Sequence, residues 1–154
     1  MFKLCRSLFF AVGIAAVMAG CATGPQYKEV AAAIPTLSAD QGRVYFIRAG
    51  SFAGAALQPE IKLNGQVVGH SQPGGFFFVD EPAGNYTVSI TTEVEKTVSF
   101  ALTGGETKYV RTSVSMGILV GHVAPMLEDA TEASDEVKDL KYTGAALLGA
   151  VVSK

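Results

Sequence analysis

The sequence predicts a mainly β fold, an antiparallel β-sandwich closed by a short C-terminal helix. Three observations predict it. Apolar and polar side chains alternate with period two in successive stretches between Gly42 and Ser115. Turn residues punctuate those stretches at intervals of roughly ten residues, the spacing of a sandwich or barrel. After Asp129 the apolar spacing becomes helical. The expected division is a leader over 1–20, a flexible tether over 21–41, and a domain over 42–154.

The domain opens at Gly42. Val44, Phe46 and Arg48 share one face of the first strand, and Arg43, Tyr45 and Ile47 share the other; bulk on both faces marks a central strand. Ile61-Lys62-Leu63 and Val67-Val68 flank Asn64-Gly65, the strongest short hairpin signal, because a type I′ turn needs positive φ at both central residues. Its register would set Ile61 opposite Val68 and Lys62 opposite Val67. Pro73-Gly74-Gly75 precedes a bulky strand from Phe76 to Val79, and Pro82-Ala83-Gly84 makes the next turn. Tyr86, Val88 and Ile90 alternate with Thr87, Ser89 and Thr91, as do Val98, Phe100 and Leu102 with Thr97, Ser99 and Ala101; both patterns fit a sheet with one wet face. Thr103-Gly104-Gly105 leads to a strand from Thr107 to Ser115.

Asp129 followed by Glu132 has the form of a capping box. Ala133, Val137 and Leu140 then keep helical spacing, with Gly144 as a stop, so an amphipathic helix is expected over Ala130–Tyr142. The apolar tail Ala145–Val152 is too short to span a bilayer, which takes about 20 residues. It is expected to bury Leu147, Leu148, Val151 and Val152 on the outer face of the sheet, over part of Phe76-Phe77-Phe78.

The leader sets the expected address. Lys3 and Arg6 precede an apolar run from Leu8 to Ala19, the layout of a secretory signal. Met18-Ala19-Gly20-Cys21 resembles the lipobox of bacterial lipoproteins, with Met18 where that family usually has leucine. The resemblance implies a diacylglycerol on the Cys21 thiol, cleavage before that residue, and acylation of its new amino group, with palmitate among the acyl chains. Two or three acyl chains make such an anchor effectively permanent, whereas one holds only marginally. Ala22, where inner-membrane lipoproteins typically carry aspartate, implies the outer membrane, facing the periplasm. Cys5 lies in the leader, so the mature chain would hold a single cysteine and no disulfide. Without Lys3 and Arg6 it would carry 10 basic and 14 acidic residues, a balance that argues against a nucleic-acid partner.

The order of motifs extends the resemblance. Gly42-Arg43-Val44-Tyr45-Phe46-Ile47-Arg48, Ile61-Lys62-Leu63-Asn64-Gly65, Gly75-Phe76-Phe77-Phe78, Pro82-Ala83-Gly84-Asn85-Tyr86, and Gly105-Glu106 before Tyr109 follow one another. This order is similar to that of the bacterial lipoprotein family catalogued as domain of unknown function 2846, over about Gly42 to Ser115. That family often has tyrosine in the aromatic run, where this chain has three phenylalanines. The resemblance implies a β-sandwich in the cell envelope and brings no catalytic residues.

The residues themselves assemble no chemistry. His70 and His122 lie far apart, and their spacing recommends no metal site with Asp80 or Glu81. Ser71 and His70 are strand neighbours that point to opposite faces, which defeats a nucleophile–base pair. Gly74-Gly75 and Gly104-Gly105 lead into strands, whereas a phosphate loop leads into a helix. The expected protein is therefore a non-enzymatic, membrane-anchored binding or structural module without cofactor or metal. The alternative is a glycan- or peptidoglycan-binding module. In either case Phe76, Phe77, Phe78 and Tyr45 form the candidate contact surface for an envelope protein or glycan, because one face of the aromatic run must leave the core.

Overall fold

A computed structural model describes residues 20–118 and 121–147. The leader before Gly20, and Leu148, Val151 and Val152 of the tail, fall outside the described residues. The strands are β1 (Gln41–Arg48), β2 (Glu60–Leu63), β3 (Gln66–His70), β4 (Gly75–Pro82), β5 (Gly84–Thr91), β6 (Glu95–Leu102), β7 (Thr107–Ser115), β8 (His122–Glu128) and β9 (Lys141–Tyr142). Two short helices accompany them, α1 (Tyr27–Val30) and α2 (Ala130–Val137). One sheet has the order β8-β7-β1-β4-β9, the other β3-β2-β5-β6.

The two-sheet β architecture follows the alternation. Phe46 of β1 stacks on Phe77 of β4 at 4.8 Å, and both join Ile61, Leu63, Val88, Ile90, Phe100 and Leu102 of the second sheet in one core. Close packing leaves no room at two glycines: a Cβ on Gly42 would lie 2.4 Å from Leu102 Cγ, and one on Gly69 would lie 2.5 Å from Phe77 Cζ. The first sheet is mixed where the sequence suggested only antiparallel pairing. β7 runs parallel to β1, and β9 parallel to β4. After β4, the strands β5 and β6 of the second sheet deliver the chain back to the start of β1. There Gly105 N–H donates to Gln41 O and Arg43 N–H to Glu106 O, so β7 must run the same way as β1.

The hairpin turn is as expected, with φ of 47° at Asn64 and 82° at Gly65. Its register agrees at Lys62–Val67 but not at Ile61, which lies opposite Gly69 across a bulge. That shift sets the glycine, not Val68, over the Phe77 ring.

The outer face of the first sheet carries the main corrections. The candidate contact surface is buried: Phe76 is 1% exposed, Phe77 4%, Phe78 8% and Tyr45 8%. Tyr27 lies 5.7 Å from Phe76, and Tyr142 lies 5.4 Å from Phe76 and 6.0 Å from Phe78. Both faces of β4 are thus covered, one by the second sheet and one by chain from both ends of the domain. The segment expected to be a free tether supplies part of this cover. Val30 is fully buried, Tyr27 N–H donates to Leu140 O, and Tyr142 N–H donates to Pro25 O. Burial of Tyr27 and Val30 offsets the ordering entropy of a segment that has few other apolar groups.

α2 starts where expected, its N-cap Asp129 accepting from Thr131 N–H at 2.8 Å. It ends earlier, at Val137. Lys141 and Tyr142 instead pair with Gly75 and Phe76 and cover the free edge of β4. Ala133, Val137 and Leu140 are buried as the helical spacing indicated, and Leu147 of the tail joins the same cluster. β8 was not legible as a strand; its Pro125 is tolerated because β8 is an edge.

Candidate functional site

One end of the sandwich gathers the features that bear on function. β1 and β7 finish there, and β2 and β4 begin there. The loops 49–59, 71–74 and 116–118 therefore converge at this end. Cys21 is exposed. The next residue, Ala22, is 3% exposed, and its N–H donates to Pro73 O at 2.9 Å. Gln58 Nε2 donates to Gly20 O at 3.2 Å, which sets Cys21 beside loop 49–59. No slack separates Cys21 from the folded domain.

Arg48 organises this end. Its side chain is buried at 3% exposure and has no carboxylate partner among the described residues. Nη1 donates to Leu57 O at 2.5 Å and to Ser71 O at 2.8 Å, and Nη2 donates to Gly54 O at 2.8 Å. One planar guanidinium thus ties loop 49–59 to Ser71, two residues before the Pro73 carbonyl that holds Ala22. Ser71 Oγ shares a 2.7 Å hydrogen bond with Thr112 Oγ1, which links the knot to β7. Burial lowers the Arg48 pKa from its ordinary value, because the charged form loses hydration.

The other internal arginines are paired with acids. Arg43 lies opposite Asp80 in the β1–β4 ladder and grips both its oxygens, at 2.6 and 2.7 Å. Its guanidinium also donates to Pro35 O and stands 4.4 Å over the Phe78 ring, so it helps hold the N-terminal segment down. The Asp80 hydrogen bond raises its pKa. Arg111 of β7 binds Glu128 of β8 and Glu136 of α2, which fastens the helix to the sheet and raises the arginine pKa.

The remaining sequence candidates do not come together. His70 is exposed at the end of β3, while His122 starts β8 with Nε2 3.9 Å from a Glu93 oxygen. Ser71 bonds Thr112 and Arg48, not His70. Asp80 is engaged by Arg43. Among the described residues no group of three or more His, Cys, Asp or Glu could hold a metal ion. Two open clefts of about 240 and 250 Å³ are below the roughly 300–1,000 Å³ of ordinary small-molecule pockets. Among the described residues no helix is long and apolar enough to cross a membrane.

The sequence reading missed both Arg48 and the N-terminal cover. Two signals could have found them. Arg48 lies on the core-facing row of β1, where a cation requires buried acceptors. Tyr27, Val30 and Ile34 are spaced by three and four, an apolar helical stripe.

Fold and site define a class: a small two-sheet β domain whose N-terminal segment is fastened along one sheet and begins at an exposed cysteine. Residues 38–124, more than half of the chain, match the family described as "Protein of unknown function (DUF2846)", and the chain belongs to that family. It is 26% identical over 114 residues to an uncharacterized protein of Haemophilus influenzae, covering 71% of this chain and 68% of that protein. No solved structure matches the chain.

Proposed function

We propose that the protein is a bacterial envelope lipoprotein, cut before Cys21 and anchored by lipid on that residue in the outer membrane, facing the periplasm. The anchored domain is a non-enzymatic binding or structural module. The observation that supports this reading is the position of Cys21: exposed, at one end of the domain, and immediately before a residue that is already docked. The lipobox-like order of charge, apolar run and small residues ending at Cys21 supports it independently. A glycan-binding role resting on Phe76, Phe77, Phe78 and Tyr45 has no surface to use, since all four rings are buried.

The experiment is metabolic labelling with palmitate, followed by membrane fractionation of wild type and Cys21→Ser. The wild type should take label and sediment with membranes, and the variant should lose the label and remain uncut. A variant that is labelled, cut and fractionated like the wild type overturns the reading.

A further inference from the structure

The end of the sandwich that carries Cys21 also carries the most exposed large apolar side chains among the described residues. Phe52 is 96% exposed, Met116 97% and Ile118 93%. The next in order, Val67 at 50% and Met126 at 49%, are half as exposed. Phe52 belongs to loop 49–59, and Met116 and Ile118 follow β7. These loops touch: a Cβ on Gly54 would lie 2.7 Å from Val114, and one on Gly121 3.2 Å from Leu57.

The loops of this end carry no charge of their own, and the exposed charges there, Glu60, Glu95 and Lys141, stand on the strands beside them. None of the residues 49–59, 71–75 and 113–118 is Asp, Glu, Lys or Arg, although 17% of the chain is charged. Glu93, in the β5–β6 turn at this end, has its carboxylate engaged by the N–H groups of Ile118 at 3.3 Å and Gly121 at 3.0 Å. The opposite end is charged, with Glu106 and Lys108 paired beside the β6–β7 turn.

We propose that this end of the sandwich is a membrane-contact surface, seated in the bilayer interface with Phe52, Met116 and Ile118 among the lipid headgroups and upper acyl chains. The proposal rests on the reading of Cys21 as the lipid anchor. Given that anchor, Ala22 fixes the geometry. One residue of chain reaches at most about 3.3–3.6 Å, so a domain docked from Ala22 onward cannot stand away from the lipid on Cys21. The loops beside Cys21 then lie at the headgroup level. Apolar tips gain by burial there, and uncharged loops avoid the desolvation that charged ones would suffer.

The chain has no tryptophan, so a single one reports on its own position. The lipidated full-length protein is reconstituted into phosphatidylethanolamine–phosphatidylglycerol vesicles as two variants: Phe52→Trp at this end and Gln66→Trp beside the opposite hairpin turn. The mass of the Cys21 peptide is measured in the same samples. The expected result is a blue-shifted emission, quenched by brominated lipid, for Phe52→Trp and a water-like, unquenched emission for Gln66→Trp. Lipid on Cys21 with a water-like Phe52→Trp overturns the membrane face and leaves the anchor standing. Absence of lipid mass on Cys21 overturns both. A blue shift that grows with the protein-to-lipid ratio, yet is not quenched by brominated lipid, assigns the face to a second copy of the chain and overturns the proposal.

Discussion

Replacing Arg48 with methionine tests the physical basis of the end that carries Cys21. The guanidinium satisfies the carbonyls of Gly54, Leu57 and Ser71. Leaving a buried acceptor without a partner costs about 1–3 kcal/mol. The Gly54 and Leu57 bonds are partly buried and the Ser71 bond is buried, so the three together give roughly 3–6 kcal/mol. Removing the cation also removes its own desolvation cost, which returns a few kcal/mol. The net loss should be roughly 1–3 kcal/mol, a substantial share of the 5–15 kcal/mol typical of a domain. Arg48→Lys should fall between, because one ammonium cannot bridge the same set of carbonyls in a fixed fork. Urea unfolding reads the global loss as a lower midpoint at unchanged slope. Hydrogen exchange reads the local one: the amides of Ala55 and Leu57, bonded within loop 49–59 to Phe52 O and Gly54 O, should exchange faster. An Arg48→Met domain within about 0.5 kcal/mol of wild type, with unchanged exchange at both amides, refutes the role given to Arg48.

Other perturbations read other parts of the fold. Asn64→Val with Gly65→Val places branched residues at positive φ and removes the Asn64 side-chain bonds to Thr87 N–H and Asn85 O; it should lower stability by at least about 1–2 kcal/mol per residue, and an unchanged melting temperature contradicts the turn. Gly24→Ala would set a methyl 1.7 Å from Tyr142 O, so limited proteolysis should cut within residues 22–41 while the two sheets stay folded; equal protease resistance contradicts the docking of this segment. The Glu106 carboxyl is held at about 2, below its ordinary 4.5, first by Lys108 and then by Thr103. A depressed folded pKa gives stability that is present above about 4.5 and lost as pH falls towards 2, so the gap between wild type and Glu106→Gln should be open at pH 6 and close over that window. A gap that does not vary with pH contradicts the assignment.

Much of the fold was legible because period two is a direct consequence of strand geometry. β7 coincides with its expected span, and the Asn64-Gly65 turn has the two positive φ values that its residues demand. Legibility failed where local chemistry was outweighed by packing. Lys138–Tyr142 suits a helix, but the open edge of β4 offered Gly74 O and Phe76 O as acceptors, and the chain turned to pair with it. The Ala- and Pro-rich stretch after Ala22 has the composition of a linker. Tyr27, Val30, Ala33 and Ile34, with the backbone of β9, nevertheless dock it, and a Cβ at Gly24 would prevent that approach. The aromatic run drew attention as a surface because a sandwich has only one interior. Here a third layer, built from both ends of the domain, gives β4 a second buried face. The partners of Arg48 left no local trace: they are carbonyls of loops that meet only in three dimensions. The parallel β1–β7 pair was equally hidden, since register between strands so far apart in sequence is fixed by topology alone.

Under the proposed function, the mature protein begins at a lipid-bearing Cys21 fastened directly to the domain. The most direct measurement is the mass of the N-terminal peptide from the protein extracted from its native membrane. The expected result is a chain that starts at Cys21 and carries a diacylglycerol thioether with the added mass of its acyl chains. A membrane-extracted chain that starts elsewhere, or that starts at Cys21 with a free thiol, contradicts it.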